Sequence, residues 1–277
     1  MPIRTAPIIP HLQARRDPAM PIFRLSASIT EDARGGGHFS GRITAALVAA
    51  GAIVQSALRQ KGIVIGTHIS RLAGINDKKI NPEADAERLE NAEFPLIDST
   101  LEEKMRDAIM QARAEGDSVG GVLETAVVGI PEGVGEPWFD TVEGLLSHAL
   151  FSVPAVKGVE FGDGFALADM RGSESNDAYR VDENGKAYTL TNHNGGIGGG
   201  ITNGQPIVFR CAVKPTPSIA KRQETLDFLK AENTEIEIKG RHDPCIVHRA
   251  RAVVDAVTAL TLADMLTVRY GTDWLAR

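Results

Sequence analysis

The chain has 277 residues, 43% of them hydrophobic, enough to bury a sizeable core in one large domain or two small ones and too apolar for wholesale disorder. Its 30 Lys and Arg against 36 Asp and Glu leave a net charge of -6, which excludes a generalised attraction for nucleic acid or anionic lipid and leaves any anion to a local site. Two widely separated cysteines, Cys211 and Cys245, without a secretion signal, fit a reducing compartment, so the cytoplasm is the expected setting.

Residues 1–30 carry five prolines, several arginines and no sustained period, which reads as a non-matching tail ahead of one domain over 31–277. From Ile43 to Leu58 almost every position is apolar or small, so the pattern predicts a central helix covered on several sides. The longest uninterrupted apolar run, Ala45 to Val54, is about half the roughly 20 residues of a membrane span, so no span is expected. After Gly62 the β-branched "GIVIGTHIS" predicts a strand. Ser99 with Glu102 forms a capping-box pattern ahead of an amphipathic helix closed by Gly116.

"SVGGVLETAVVGI" predicts the next strand, and a helix follows from about Asp140 to Leu150. "AVKGVEFG" and "FALADMRGSE" are expected to pair as a hairpin around Gly162-Asp163-Gly164. A glycine-rich entry leads into a strand at Pro206 to Val213, and after a turn at Asp243-Pro244 a long buried helix closes the chain. Strands succeed one another through turns more often than through helices, which favours an antiparallel α+β fold.

Chemistry concentrates in a few stretches. Gly37-His38-Phe39-Ser40-Gly41-Arg42 sets a hydroxyl, an imidazole and a guanidinium at a helix start, a combination that suits an anion; ordinary capping by Ser40 is the alternative. Lys214-Pro215-Thr216-Pro217-Ser218 puts an ammonium and two hydroxyls on a proline-stiffened loop, readable also as a surface turn or a proline-motif ligand. Arg241-His242-Asp243-Pro244-Cys245 combines an anion clamp with a carboxylate suited to proton transfer. His242, Cys245 and His248 match no usual zinc spacing, and no Gly-x-Ser-x-Gly elbow supports a hydrolase. His11, His68, His148 and His193 read as structural or surface residues.

In the same order along the chain, "RGGGHFSGRITAALVAAGAI", "GDSVGGVLE", "GEPWFD", "PAVKGVEFGDGF", "RGSESND", "NGGIGGGITNGQPI", "KPTPSI" and "GRHDPC" with "LADML" resemble chorismate synthase, over nearly all of Arg34 to Leu266. The resemblance implies a β-α-β sandwich fold and a lyase that converts 5-enolpyruvylshikimate-3-phosphate to chorismate and phosphate by anti-1,4-elimination. It implies reduced FMN without net redox change, a homotetramer, and an external flavin reductase where a chain does not reduce its own flavin. By the family's pattern His38, Phe39, Ser40, Ala155, Gly199, Lys214, Pro215, Thr216, Pro217, Ser218 and Arg241 match flavin contacts. Arg42 and Arg241 match positions facing the substrate's anionic groups, and Asp243 matches the acid that manages the flavin N5 proton.

The sequence also departs from the family. Members carry roughly a hundred further residues ahead of the triple glycine, including a Gly-Glu-Ser-His-Gly motif with a catalytic histidine. The second family histidine, in Arg-Pro-x-His-Ala-Asp, has as counterpart only Arg24-Leu25-Ser26-Ala27-Ser28, which has none. The expectation is therefore an N-terminally truncated member, with a catalytically impaired FMN- or phosphate-binding fragment as the alternative to a working lyase.

Overall fold

The computed structural model describes residues 40–90, 92–227, 230–238 and 243–276. The tail over 1–30 lies outside them. A 3-10 turn, Gly41–Ile43, leads into α1 (Thr44–Gln60), and β1 (Val64–Leu72), β2 (Ile75–Asn76), α2 (Pro82–Glu90), α3 (Glu102–Ala114) and β3 (Gly121–Val128) follow. Next come α4 (Val142–Ser152), β4 (Val156–Phe161), the single turn α5 (Gly172–Ser175), β5 (Tyr179–Val181), β6 (Ala187–Thr189), β7 (Ile197–Gly198) and β8 (Ile201–Thr202). The chain closes with β9 (Ile207–Val213), β10 (Gln223–Asp227), β11 (Glu232–Ile236) and α6 (Val247–Tyr270). The expected α+β class holds.

One five-stranded sheet, in the order β2-β1-β3-β9-β4, organises the molecule, and every neighbouring pair in it is antiparallel. Side chains alternate across it. Ile65, Thr67 and Ile69 stand opposite Val127, Thr125 and Leu123, which stand opposite Ile207, Phe209 and Cys211, and all nine are buried. α6 lies over the sheet between α1 and α4. On this side Thr67 donates to Asp255 of α6 at 2.5 Å and shares a 2.7 Å hydrogen bond with Thr125. Burial pushes the Asp255 carboxyl up to about 6, against the pull of Arg251.

The opposite side of the sheet carries a polar row beside a small buried apolar cluster of Ile80, Leu89, Ala126 and Val208. His68, Glu124, Arg210 and Glu160 occupy matched positions on four adjacent strands. His68 pairs with Glu124 at 2.8 Å and with Asp77 at 3.1 Å, and Arg210 ion-pairs with Glu160 at 2.8 Å. Asp77 also accepts the Ile97 and Asp98 N–H groups at 2.6 and 3.0 Å, so His68 is a structural histidine that fastens the 77–98 segment to the sheet. α2 covers part of this side, close enough that a Cβ on Gly66 would meet the Ala86 backbone at 2.4 Å.

Three expectations are corrected. The partner of β4 is β9, and Gly164–Asp169 is a 3-10 helix whose start is tied to Glu160, which accepts the Phe165 N–H, so no hairpin forms around Gly162. The cap ahead of α3 is Asp98, which accepts from Thr100 N–H at 3.1 Å, because a 3-10 turn at Ser99–Leu101 precedes the α-helix. Among the described residues α1 is covered along one strip only, with Thr44, Gly51 and Leu58 buried. By length and composition alone Gly41–Gln60 also meets the test of a membrane-crossing helix, a test that core helices pass as well.

Candidate functional site

The start of β3 is a crowded junction that only glycine permits. A Cβ on Gly120 would fall 2.5 Å from the Val213 carbonyl oxygen and 2.9 Å from Pro215 Cδ. One on Gly121 would fall 2.3 Å from the Arg71 carbonyl oxygen and 3.2 Å from Val247 Cγ2. Without side chains here, the end of β1, the loop after β9 and the first turn of α6 close on one point.

Two adjacent residues then reach two of the loops singled out from sequence. Ser118 Oγ donates to the Thr216 carbonyl oxygen at 2.6 Å, and Val119 N–H donates to the Pro244 carbonyl oxygen at 2.8 Å. From the other side, Lys214 N–H donates to the Ala155 carbonyl oxygen at 2.9 Å. Ala155 holds φ at +74°, a left-handed value that a residue with a Cβ adopts at a cost and that the flanking contacts maintain. Ala155, Lys214 to Thr216 and Asp243-Pro244 therefore meet around Ser118 and Val119. Pro217 and Ser218 continue the same loop.

Within this junction the Asp243 carboxylate is partly exposed, accepts the Cys245 N–H at 3.4 Å and pairs with Arg249 of α6. Arg249 escaped sequence reading, although its spacing of six from Asp243 across a proline turn and one helical turn was a usable signal. Thr216 Oγ1 is buried without a hydrogen-bond partner among the described residues, an orphan that a ligand oxygen would satisfy. The Lys214 ammonium belongs to an exposed residue on the same loop. Cys245 is buried, and that burial pushes its thiol up, away from the thiolate form. His248 is pushed down by burial and by Arg106. Among the described residues no His, Cys, Asp or Glu cluster is placed to hold a metal.

Ser40 and Arg42 lie at this same end. Gly51 of α1 rests on Ala256 of α6, and Lys61, just past α1, sits over the Trp274 ring at 5.4 Å, just past α6. The two helices thus run parallel, and their first turns share one end of the layer. Ser40 accepts the Arg42 N–H at 3.3 Å, so the capping reading is correct for its hydroxyl. Gly199 does not join the group. It forms the exposed tip of the β7–β8 hairpin, which packs beside Thr141 at the start of α4, whereas Ala155 follows the end of α4 roughly 16 Å away. His38, Phe39, Arg241 and His242 lie outside the described residues.

The family model described as chorismate synthase matches residues 25–267. The chain belongs to the chorismate synthase family. Its curated relatives include the chorismate synthases of Korarchaeum cryptofilum, 46% identical over 245 residues that cover 88% of this chain and 67% of the relative, and of Pyrococcus abyssi, 47% identical over 239 residues that cover 86% and 66%. A crystal structure of chorismate synthase superposes with a TM-score of 0.70 at 32% identity, covering 84% of this chain and 66% of that one. The chain thus spans about two thirds of the length of these chorismate synthases.

Proposed function

We infer that this chain serves the chorismate synthase reaction, a carbon–oxygen lyase step that eliminates phosphate from 5-enolpyruvylshikimate-3-phosphate. The observation that carries this reading is the junction at Ser118-Val119, which gathers Ala155, the Lys214 to Ser218 loop and Asp243 at the end of the layer where Ser40 and Arg42 begin α1. The donor set fits a phosphate monoester: an exposed ammonium at Lys214 and a buried, unsatisfied hydroxyl at Thr216. These residues, with Ser218, Ser40 and the backbone at Ala155, would hold FMN. When bound, reduced FMN supplies an electron-rich ring that eases departure of the allylic phosphate.

The protein's own residues then bind, orient and move a proton. Arg42 and Arg241 offer guanidinium groups to the substrate's carboxylates and phosphate, which binds them in the bidentate geometry such anions accept. Asp243, held by Arg249 and by the Cys245 N–H, presents a fixed carboxylate as a proton acceptor. The setting we assign is cytoplasmic, the assembly a homotetramer, and the source of reduced flavin a separate reductase.

A second reading is favoured by Arg24 to Ser28, which lacks the family histidine. In it the chain binds FMN and phosphate without turnover, since loss of a general acid costs about 10²–10⁴ in rate. Anaerobic titration with reduced FMN and 5-enolpyruvylshikimate-3-phosphate, followed by chorismate absorbance and phosphate release, separates the two. Phosphate release at rates lost in Asp243→Asn supports the lyase. Binding lost in Lys214→Ala, with no phosphate released from the wild type, selects the binding-only reading; no binding at all overturns both.

A further inference from the structure

The connection 116–119 between α3 and β3 directs its polar groups at two other loops. Ser118 Oγ donates to the Thr216 carbonyl oxygen at 2.6 Å, the Gly116 carbonyl oxygen accepts the Ala220 and Lys221 N–H groups at 3.0 and 3.1 Å, and Asp117 pairs with the Lys221 ammonium at 2.7 Å. Val119 N–H serves the second loop, donating to the carbonyl oxygen of Pro244, the neighbour of Asp243, at 2.8 Å.

The loop 214–218 is stiff within itself and free mainly as a unit. Pro215 and Pro217 fix their own φ near about −65° and hold the residues before them, Lys214 and Thr216, extended. What can vary is how this strut is set against the rest of the fold, and three ties set it: Lys214 N–H on the Ala155 carbonyl oxygen at one end, Ala220 and Lys221 on Gly116 at the other, and Ser118 in the middle. Of the three, only the middle tie is made to Thr216, whose own Oγ1 is buried with no hydrogen-bond partner among the described residues. Ser118 grips the carbonyl of that residue, so it fixes the peptide beside the orphan hydroxyl and leaves the hydroxyl itself open to a ligand. The Asp117–Lys221 pair is a weaker hold, because its side chains are 38 and 45% exposed and water and salt screen it.

We propose that Ser118 is a positioning residue for the phosphate of the flavin: through the Thr216 carbonyl it sets the Thr216 hydroxyl, and through the stiff loop the Lys214 ammonium, in their binding arrangement before the ligand arrives. Such preorganisation raises affinity by removing an ordering cost from the binding step. The Val119 bond, one residue further on, holds the same loop in register with the turn that carries Asp243. The proposal rests on the flavin- and phosphate-binding step shared by both readings above, and binding tests it without turnover.

Reduced FMN and reduced riboflavin, which has the same ring without the phosphate, would be titrated anaerobically into the full chain and into its Ser118→Ala, Ser118→Thr and Lys221→Met variants. The wild type should bind FMN more tightly than riboflavin. Ser118→Ala should weaken FMN binding about ten-fold and leave riboflavin binding within about two-fold, because the lost tie serves the phosphate donors alone. Only a half-buried neutral hydrogen bond is removed, so its melting temperature should fall by no more than about 4 °C. Ser118→Thr keeps the hydroxyl and should restore FMN binding; Lys221→Met removes only the screened pair and should weaken it less than about three-fold. Equal weakening of both flavins by Ser118→Ala, failure of Ser118→Thr to restore binding, or a Lys221→Met loss as large as that of Ser118→Ala overturns the proposal and makes Ser118 a general structural residue. A wild type that prefers FMN and a Ser118→Ala variant that keeps the preference overturn the proposal while the binding reading stands. A wild type that binds neither flavin, or shows no preference for the phosphate, overturns that reading and the proposal with it.

Discussion

α1 is the more uniformly apolar of the two long helices in sequence, yet α6, which carries Arg249, Arg251, Asp255, Asp264 and Arg269, is the one that the described fold covers. α6 buries Val253, Val254, Val257, Leu262 and Leu266 among thirteen buried positions, with a sheet beneath it and a helix on either side. α1 buries Thr44, Gly51 and Leu58 along one strip, and Ile53 points outward. Composition reports that a helix must be covered; only neighbouring elements report whether the chain itself supplies the cover.

That contrast can be broken from the α6 side first. Leu262→Ala removes a fully buried side chain between elements that cannot collapse freely, so chemical denaturation should show a loss of about 3–4 kcal/mol. The next largest effect is pH-dependent. Asp255 has its carboxyl raised to about 6 by burial, so its contribution to stability is fully present below the ordinary carboxylate range and is lost as pH rises through about 6. Denaturation between pH 4 and 7 should therefore show the wild type losing on the order of 2–3 kcal/mol that Asp255→Asn does not lose; a parallel pH dependence in the variant would contradict this account.

At the seam between the two helices, Gly51→Leu places a side chain where a Cβ would already stand 2.4 Å from Ala256 Cβ and 2.5 Å from its Cα. Pushing α1 off α6 should cost about 2 kcal/mol, read as a lowered melting temperature. The smallest effect sharpens the comparison most. Ile53→Ala on the outer face should shift stability by no more than about 0.5 kcal/mol in the isolated chain, where a buried isoleucine would cost several times that.

The sequence made the framework legible wherever a local rule decided the outcome. β1, β3, β9 and α6 lie where alternation and periodicity put them, and Gly116 ends α3 at φ +70° as a stop glycine does. Non-local choices were not legible. Whether β4 pairs with the following segment or with β9 is settled by sheet assembly, and Glu160 turns that following segment into a 3-10 helix by accepting its N–H. The reason for glycine at 120 and 121, close approach of Val213, Pro215 and Arg71, exists only after four elements converge. In the site, the loops after β9 and before α6 could be named from residue types, while Ser118 and Val119, which tie them together through one hydroxyl and one amide, were visible only within the "GDSVGGVLE" motif, with nothing to say which loops they reach. Arg249 offered only its spacing of six from Asp243, and it reads as an ordinary surface arginine until Asp243 folds back to it.

The row formed by His68, Glu124, Arg210 and Glu160 has a bearing on how the chain finds its pairing. These four side chains meet only when β1, β3, β9 and β4 are all aligned as observed. Sliding any one strand by a single residue would rotate its ionisable group into the layer occupied by Ile69, Leu123 and Phe209 and leave its former partners facing nothing. The row therefore works as a set of keyed teeth: it adds little to the hydrophobic adhesion of the sheet, yet it makes every misaligned assembly costlier than the native one.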